Sequence, residues 1–252
     1  MHQSNTRNVA IAALSFGLIA GTANAQDIPG GSISLITHDQ SMNWQAGVDG
    51  NLSYTDTGYN FSGNQAGDGW LVQWDLLASS GDGQSIVTNF TVINLGTETQ
   101  TFSLLVSDLL AAPYLSGTMI GGSIAGTFTD LNGNGVEVGS VGSGSIYSAF
   151  VDANNPDPFD GTVVASLLED ASGSASSFFT GTFASESFGT SPQIPGQSGP
   201  AASDNFGIML EFSLSGGDMV GFTSSMAIAS PAPGALALFS FAGLGRRRRR
   251  TA

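Results

Sequence analysis

Residues 130–137, Asp-Leu-Asn-Gly-Asn-Gly-Val-Glu, have the spacing that points most directly to chemistry. Asp130, Asn132 and Asn134 stand at alternate positions, Gly135 takes the sixth position, and Glu137 follows. Short oxygen-bearing side chains two residues apart can converge on one hard cation, as in the first half of a calcium loop. Asn-Gly is also a strong turn signal. The segment therefore predicts either a calcium site or a plain β-turn.

Other residues that could do chemistry are few. Asp152, Asp157 and Asp160 share one loop, where carboxylates can bind calcium, act as a glycosidase pair or simply form turns. His38 stands beside Asp39, but no G-x-S-x-G motif supplies a nucleophile for it. The chain contains no cysteine, which excludes thiol chemistry and thiolate metal sites. We therefore predict no catalytic residues, and calcium as the one cofactor to consider.

Aromatic residues near the first third of the chain offer a different kind of site. Trp44, Trp70 and Trp74, with Tyr54 and Tyr59, could stack on sugar rings if a sheet presented them on one face. Aromatic residues in strands more often form part of a hydrophobic core. A carbohydrate platform and a buried core are both open at this point.

Charge is distributed unevenly along the 252 residues. All 20 acidic residues lie between Gln26 and Ser230, whereas all 6 basic residues lie outside that segment. The formal net charge of −14 therefore combines −20 on the central segment with +6 on the two ends. Such a central segment repels nucleic acid, so we predict no nucleic-acid partner.

The N-terminal residues have the pattern of a secretory signal peptide. Arg7 precedes an apolar run over residues 9–21, and Ala23-Asn24-Ala25 forms an A-x-A cleavage site before Gln26. Thirteen apolar residues are too few to cross a bilayer as a helix. We predict export, with signal peptidase cutting after Ala25.

The C-terminal residues form a three-part segment. Pro231 and Pro233 break the preceding chain, and an apolar run with helix-forming residues extends over about 234–245. A block of arginines follows, made of Arg246, Arg247, Arg248, Arg249 and Arg250. Twelve helical residues span only about 18 Å of a hydrocarbon core that is about 30 Å thick. A transient stop in the membrane fits this length better than a permanent anchor does.

This order of Pro-x-Pro, apolar helix and terminal arginines resembles the PEP-CTERM sorting signal of Gram-negative-type bacteria. Pro231, Pro233 and Gly234 match the pattern, and Ala232 stands where the family has glutamate. The resemblance covers residues 230–252 and implies recognition by a membrane-embedded exosortase. It also implies transient membrane association and a final place at the cell surface, the outer membrane or the extracellular matrix. Proteins of this family are commonly tied to exopolysaccharide and biofilm.

The residues between the two ends predict an all-β fold. Residues 206–214 alternate strictly between apolar and polar or small, and residues 220–228 continue the pattern after a glycine turn. Residues 70–77 and 85–94 also alternate, whereas the composition of 43–69 predicts loops with an edge hairpin. Further hairpins are expected around Gly96 and around 132–135. We predict an antiparallel β-sandwich, with a jelly roll as one possible form, flanked by short helical targeting segments.

Three parts follow from these patterns: a signal peptide over 1–25, a β-sandwich domain over 26–229 and a sorting segment over 230–252. The leading hypothesis is an exported, non-catalytic surface or matrix protein that an exosortase-type system processes. Its partners would be signal peptidase, the exosortase and exopolysaccharide. The alternative is a calcium- or carbohydrate-binding module on the cell surface.

Overall fold

The computed structural model describes residues 29–80, 83–189 and 195–231. These residues form sixteen β-strands and no helix, which confirms the predicted all-β class. In chain order the strands are β1 (Ser32–Ile36), β2 (Ser41–Gln45), β3 (Asn51–Thr55), β4 (Gly58–Gly67), β5 (Trp70–Ser79), β6 (Gly83–Asn94), β7 (Gln100–Leu109), β8 (Thr118–Asp130), β9 (Val136–Ser140), β10 (Ser145–Val151), β11 (Thr162–Glu169), β12 (Ser172–Ala175), β13 (Thr180–Phe188), β14 (Gln197–Gly199), β15 (Asn205–Leu214) and β16 (Asp218–Ala229).

The strands form two antiparallel sheets of eight strands each. The first sheet has the order β11-β10-β15-β7-β1-β2, with β9 beside β15 and β12 beside β9. The second has the order β13-β8-β16-β6-β5-β4-β3, with β14 beside β8. The last two strands in the chain, β15 and β16, therefore lie in the interior of the two sheets.

Alternating apolar residues build the core between the sheets. In β15 and β16 the apolar residues of the predicted pattern are buried, as period-2 strands with one inward face require. Phe212 of the first sheet and Phe222 of the second approach each other with ring centroids 5.1 Å apart. One connected cluster of buried residues draws from both sheets. The two sheets thus pack face to face in a sandwich-like arrangement.

The segment predicted as loops between 43 and 69 contains a ten-residue strand instead. β4 includes Gly63 and Gly67, and a Cβ on them would lie 2.4 Å and 2.2 Å from the rings of Trp74 and Trp70. The glycines leave room for the two indole rings, so packing overrides their low strand propensity. The edge hairpin predicted in this region is confirmed, since β3 pairs with β4 at the sheet edge.

The prediction of hairpins around Gly96 and around 132–135 is wrong. The 95–99 connection leads from β6 in the second sheet to β7 in the first, and residues 131–135 lead from β8 to β9 in the same direction. The 215–217 turn likewise joins β15 to β16 across the sandwich. These turns reverse the chain, but each passes it to the facing sheet rather than to a hydrogen-bonded neighbour.

These three crossing turns meet at one end of the molecule, which we call the crossover end. The Asn132 side-chain amide donates to the Gly216 carbonyl at 2.9 Å, and the Gly217 N–H donates to the Asn94 carbonyl at 2.9 Å. Asn94 itself is fully buried, and its amide donates to the carbonyls of Glu98 and Leu214. Side-chain amides therefore hold the three turns together.

The first and last described residues lie at the opposite end, which we call the terminal end. β16 stops at Ala229, which is level with Met119 of β8. Gln84, on the neighbouring strand, donates to the Leu109 carbonyl at 3.0 Å. A Cβ built on Gly30 would lie 2.4 Å from the Leu109 side chain, so the N-terminal residues also pass this point. Both ends of the described body thus emerge on the same side.

Candidate functional site

Asp130, the first residue of the predicted calcium motif, has its carboxylate committed to the backbone. It is 2% exposed, and its Oδ1 accepts the N–H groups of Asn132 at 3.2 Å and Gly133 at 2.9 Å. Its Oδ2 accepts the N–H of Phe178 from another loop. Burial acts to raise the pKa of Asp130, but these N–H donors hold it below its usual range.

The other residues of the motif also hold the turn in place. Asn132 accepts the Asn134 N–H at 3.0 Å through its side-chain oxygen. The backbone N–H of Glu137 donates to the Ser215 hydroxyl at 2.8 Å, while the Glu137 side chain is exposed. The contacts of residues 130–137 therefore favour the second interpretation of this motif, a turn that stabilises the crossover end.

Asp218, which the sequence pattern did not single out, lies beside Asp130. Its side chain is fully buried and accepts a hydrogen bond from the Ser215 hydroxyl. Burial raises the pKa of Asp218, and the neighbouring Asp130 raises it further. Only the fold brings these carboxyls together, since they are far apart in the chain. In the described ranges, no group of three or more His, Asp or Glu residues is arranged to hold a metal ion.

Two of the three carboxylates in the loop with Asp152, Asp157 and Asp160 accept backbone N–H groups, Asp152 from a neighbouring loop and Asp160 from its own loop. Asp152 accepts the backbone N–H groups of Ser203 and Asp204, both at 2.8 Å. Burial opposes the charge, but these donors keep the pKa of Asp152 below its usual range. Asp160 accepts the N–H groups of the two residues at the start of the loop at 2.7 Å and 2.8 Å.

The proposed sugar-stacking platform is absent from the part of the chain that the structure describes. Trp44, Trp70 and Trp74 are at most 6% exposed, and Tyr59 is also buried, so they form core rather than a surface. His38 is highly exposed, with its imidazole 3.6 Å from the Asp39 carboxylate. This pair lies on the surface, where bulk solvent weakens its attraction.

A groove of about 470 Å³ lies on the outer face of the first sheet, next to the terminal end. Its polar lining includes Ser32, Ser34, Asn43, Ser107 and Asn205, and its lining contains no charged residue. Ser32 and Ser107 hydroxyls are 2.9 Å apart, and the Asn43 amide donates to Ser34 at 3.2 Å. The hydrogen-bonding groups that line the groove are therefore all uncharged.

Most residues of the predicted targeting segments lie outside the described residues. This applies to the signal-cleavage residues Ala23, Ala25 and Gln26, and to the sorting residues Pro233, Gly234, Arg246, Arg247, Arg248, Arg249 and Arg250. Pro231 is described and follows β16 by two residues, outside any strand. Within 29–80, 83–189 and 195–231, no helix has the length and apolar character needed to cross a membrane.

Comparison with protein-family models gave no match to this chain, and none of the curated proteins matched it either.

Proposed function

We propose that this chain is an exported, non-catalytic surface or extracellular-matrix protein that an exosortase-type system processes at its C-terminal segment. The observation that carries the proposal is where the folded body stops. β16 ends at Ala229, and Pro231 opens the three-part segment two residues later. The segment that we propose as the sorting signal therefore begins directly after β16, the last described strand.

The position of this boundary also supports processing without damage to the fold. β16 pairs along its whole length with β6 and β8, ending at Ala229. A cut near Ser230 leaves each of these pairs intact. A cut after Ala25 likewise precedes β1, which begins at Ser32. Both targeting segments can therefore be removed while every described strand remains.

The proposed non-catalytic role is supported by the use of the polar side chains. Asp130, Asp152 and Asp160 accept backbone N–H groups that fix turns, so their oxygens are engaged in structure. His38 stands on the surface beside a single carboxylate. The charge of the segment between the two cleavage points favours solubility and repels nucleic acid and anionic surfaces.

We further propose that eight strands form a jelly roll, with the short apolar helix of the sorting segment outside it. The support is the order β6-β16-β8-β13 in one sheet and β7-β15-β10-β11 in the other. With the chain passing repeatedly between the sheets, this is the order of a doubled Greek key. β1 and β2 extend one sheet beyond β7, and β3 to β5 extend the other beyond β6.

Replacing the arginine block tests the sorting proposal in the native host. The five residues Arg246 to Arg250 are changed to serine, and the parent and variant chains are followed by cell fractionation and mass. The parent is expected to lose the tail and leave the cell envelope, whereas the variant keeps its C-terminal residues. Equal processing of both chains would contradict recognition of the three-part segment.

A second candidate function, binding of a neutral carbohydrate, has one observation in its favour. The groove lined by Ser32, Ser34, Asn43 and Ser107 contains hydrogen-bonding groups without charge, which suits hydroxyl-rich, uncharged ligands. The test is titration with neutral oligosaccharides, comparing the parent with Ser107→Leu. Binding by the parent that the variant loses would support the groove, and no binding by the parent would reject it.

A further inference from the structure

We propose that residues 109–117, which we call the apolar loop, contact the interfacial region of a lipid bilayer while the C-terminal tail is in the membrane. The inference rests on the proposed function, because it requires a membrane stage before the tail is removed. The apolar loop joins β7 to β8 at the terminal end. Its sequence is Leu-Leu-Ala-Ala-Pro-Tyr-Leu-Ser-Gly, with no charged residue.

The apolar loop exposes two leucines and the small apolar residues between them. Leu115 is 79% exposed and Leu109 is 57% exposed. Ala111, Ala112 and Pro113, which lie between them, are also exposed. Single exposed leucines are ordinary, but a contiguous uncharged stretch of this kind marks an interaction surface.

Hydrogen bonds hold the apolar loop in a defined shape. The Gln84 side chain donates to the Leu109 carbonyl at 3.0 Å and accepts the Ala111 N–H at 2.8 Å. The Tyr114 N–H donates to the Ala202 carbonyl at 2.7 Å, and the Ala202 N–H donates back at 3.3 Å. A surface that is already ordered loses little conformational entropy when it binds.

The tail leaves the body close to the apolar loop, so insertion of the tail into a bilayer brings this loop near the lipid surface. The apolar loop ends at Gly117, and Met119, two residues on, is level with Ala229 at the end of β16. Ala235, inside the apolar run, comes four residues after Pro231, a separation that reaches at most about 14 Å. A tail inserted in a bilayer therefore holds the terminal end within that distance of the lipid surface.

Neighbouring charges select the kind of lipid. Asp152, Asp160 and Asp204 lie in loops at the same end of the body, and this end has no described basic residue to balance them. A strongly anionic surface would repel these carboxylates at close range. We therefore assign the apolar loop to a bilayer surface rich in zwitterionic lipid.

Single-cysteine labelling tests the contact, and the chain has no cysteine of its own to interfere. Leu115→Cys and Ala112→Cys, each in the full chain, carry a polarity-sensitive dye and are reconstituted into phosphatidylcholine vesicles. Leu95→Cys is the matched control, because Leu95 is 57% exposed at the crossover end. Dyes at 115 and 112 are expected to shift to the blue and to lose access to an aqueous quencher, whereas the dye at 95 is unchanged.

A fourth variant, Ala237→Cys, reports whether the tail itself is in lipid. Dyes at 115 and 112 that behave like the dye at 95 overturn the inference. If the tail dye is then protected by lipid, only the loop contact fails and the sorting proposal stands. If the tail dye is also in water, the membrane stage of the proposed function fails with it. Protection at 115 and 112 together with protection of the tail dye supports the inference. Protection at 115 and 112 with the tail dye in water overturns it, because the contact is proposed to depend on an inserted tail.

Discussion

Tyr59 and Asp108 form a buried hydrogen-bonded pair whose loss should be measurable. Asp108 is 7% exposed, and its Oδ1 accepts the Tyr59 hydroxyl at 2.9 Å and the Leu109 N–H at 3.0 Å. Burial raises the pKa of Asp108, and burial together with Asp108 raises the pKa of Tyr59. The phenol therefore keeps its proton and remains the donor.

Tyr59→Phe removes this donor and leaves the Asp108 carboxyl with one N–H partner. Removing one partner of a buried hydrogen bond costs about 1–3 kcal/mol, so we expect the free energy of unfolding to fall by about 2 kcal/mol. For a body of this size the loss corresponds to a melting temperature lower by about 4–8 °C. The buried tryptophans report unfolding in a urea titration by their fluorescence. Tyr54→Phe is the control, because Tyr54 is 44% exposed, and a change within about 0.5 kcal/mol is expected.

Asp108→Asn separates the hydrogen bond from the charge. The asparagine oxygen still accepts from Tyr59, while the cost of burying a charge disappears. Folding raises the pKa of Asp108, so the protonated carboxyl is the form that the fold favours. Its contribution to stability is fully present below about pH 4 and is lost as the pH rises through the pKa of Asp108 in the folded protein. The variant should lose this dependence and be at least as stable as the parent at pH 7. Two results would refute this reasoning. One is a loss of stability in Tyr59→Phe no larger than that in Tyr54→Phe, and the other is a loss in Asp108→Asn as large as that in Tyr59→Phe.

Three further predictions concern the core, the loops and the calcium motif. Phe212→Ala, between the sheets, should lower the free energy of unfolding measured in a urea titration by about 3–5 kcal/mol. The exposed Phe179→Ala should lower it by at most about 0.5 kcal/mol. Equal losses in the two variants would contradict the described core. Asp152→Asn should be less stable than the parent at pH 7, because folding lowers the pKa of Asp152. The difference in stability should shrink as the pH falls below about 4, which an acid titration of both chains measures. EDTA should leave the melting temperature unchanged because Asp130 binds backbone N–H groups; a fall that calcium reverses would restore the calcium hypothesis.

The strands themselves could be predicted from local patterns. Residues 206–214 and 70–77 alternate because one face of each strand packs against the facing sheet, and that requirement is visible in the sequence. β4 cannot be predicted from its local sequence, because its glycines have low strand propensity. The reason for those glycines, space for two indole rings, lies in a neighbouring strand and is not a local property.

Strand pairing and the polar cluster could not be predicted in the same way. The Asn-Gly turn after Asp130 predicts that the chain reverses, but a reversal can lead to a neighbouring strand or to the facing sheet. Contacts distant in sequence decide between these, such as the Asn132 amide on the Gly216 carbonyl. The sequence pattern does not indicate Asp218 for the same reason, since Asp130 becomes its neighbour only through the pairing of β16 with β8.

Export and tail removal are tested most directly by the intact mass of the protein recovered from its native host, with the cell fraction recorded. Export followed by removal of the tail predicts a chain that starts at Gln26 and stops near Ser230, found outside the cell or at its surface. Such a chain would retain every described strand from Ser32 to Ala229. A membrane-bound chain that still carries Arg246 to Arg250 would contradict export with tail removal, because the tail would then be a permanent anchor.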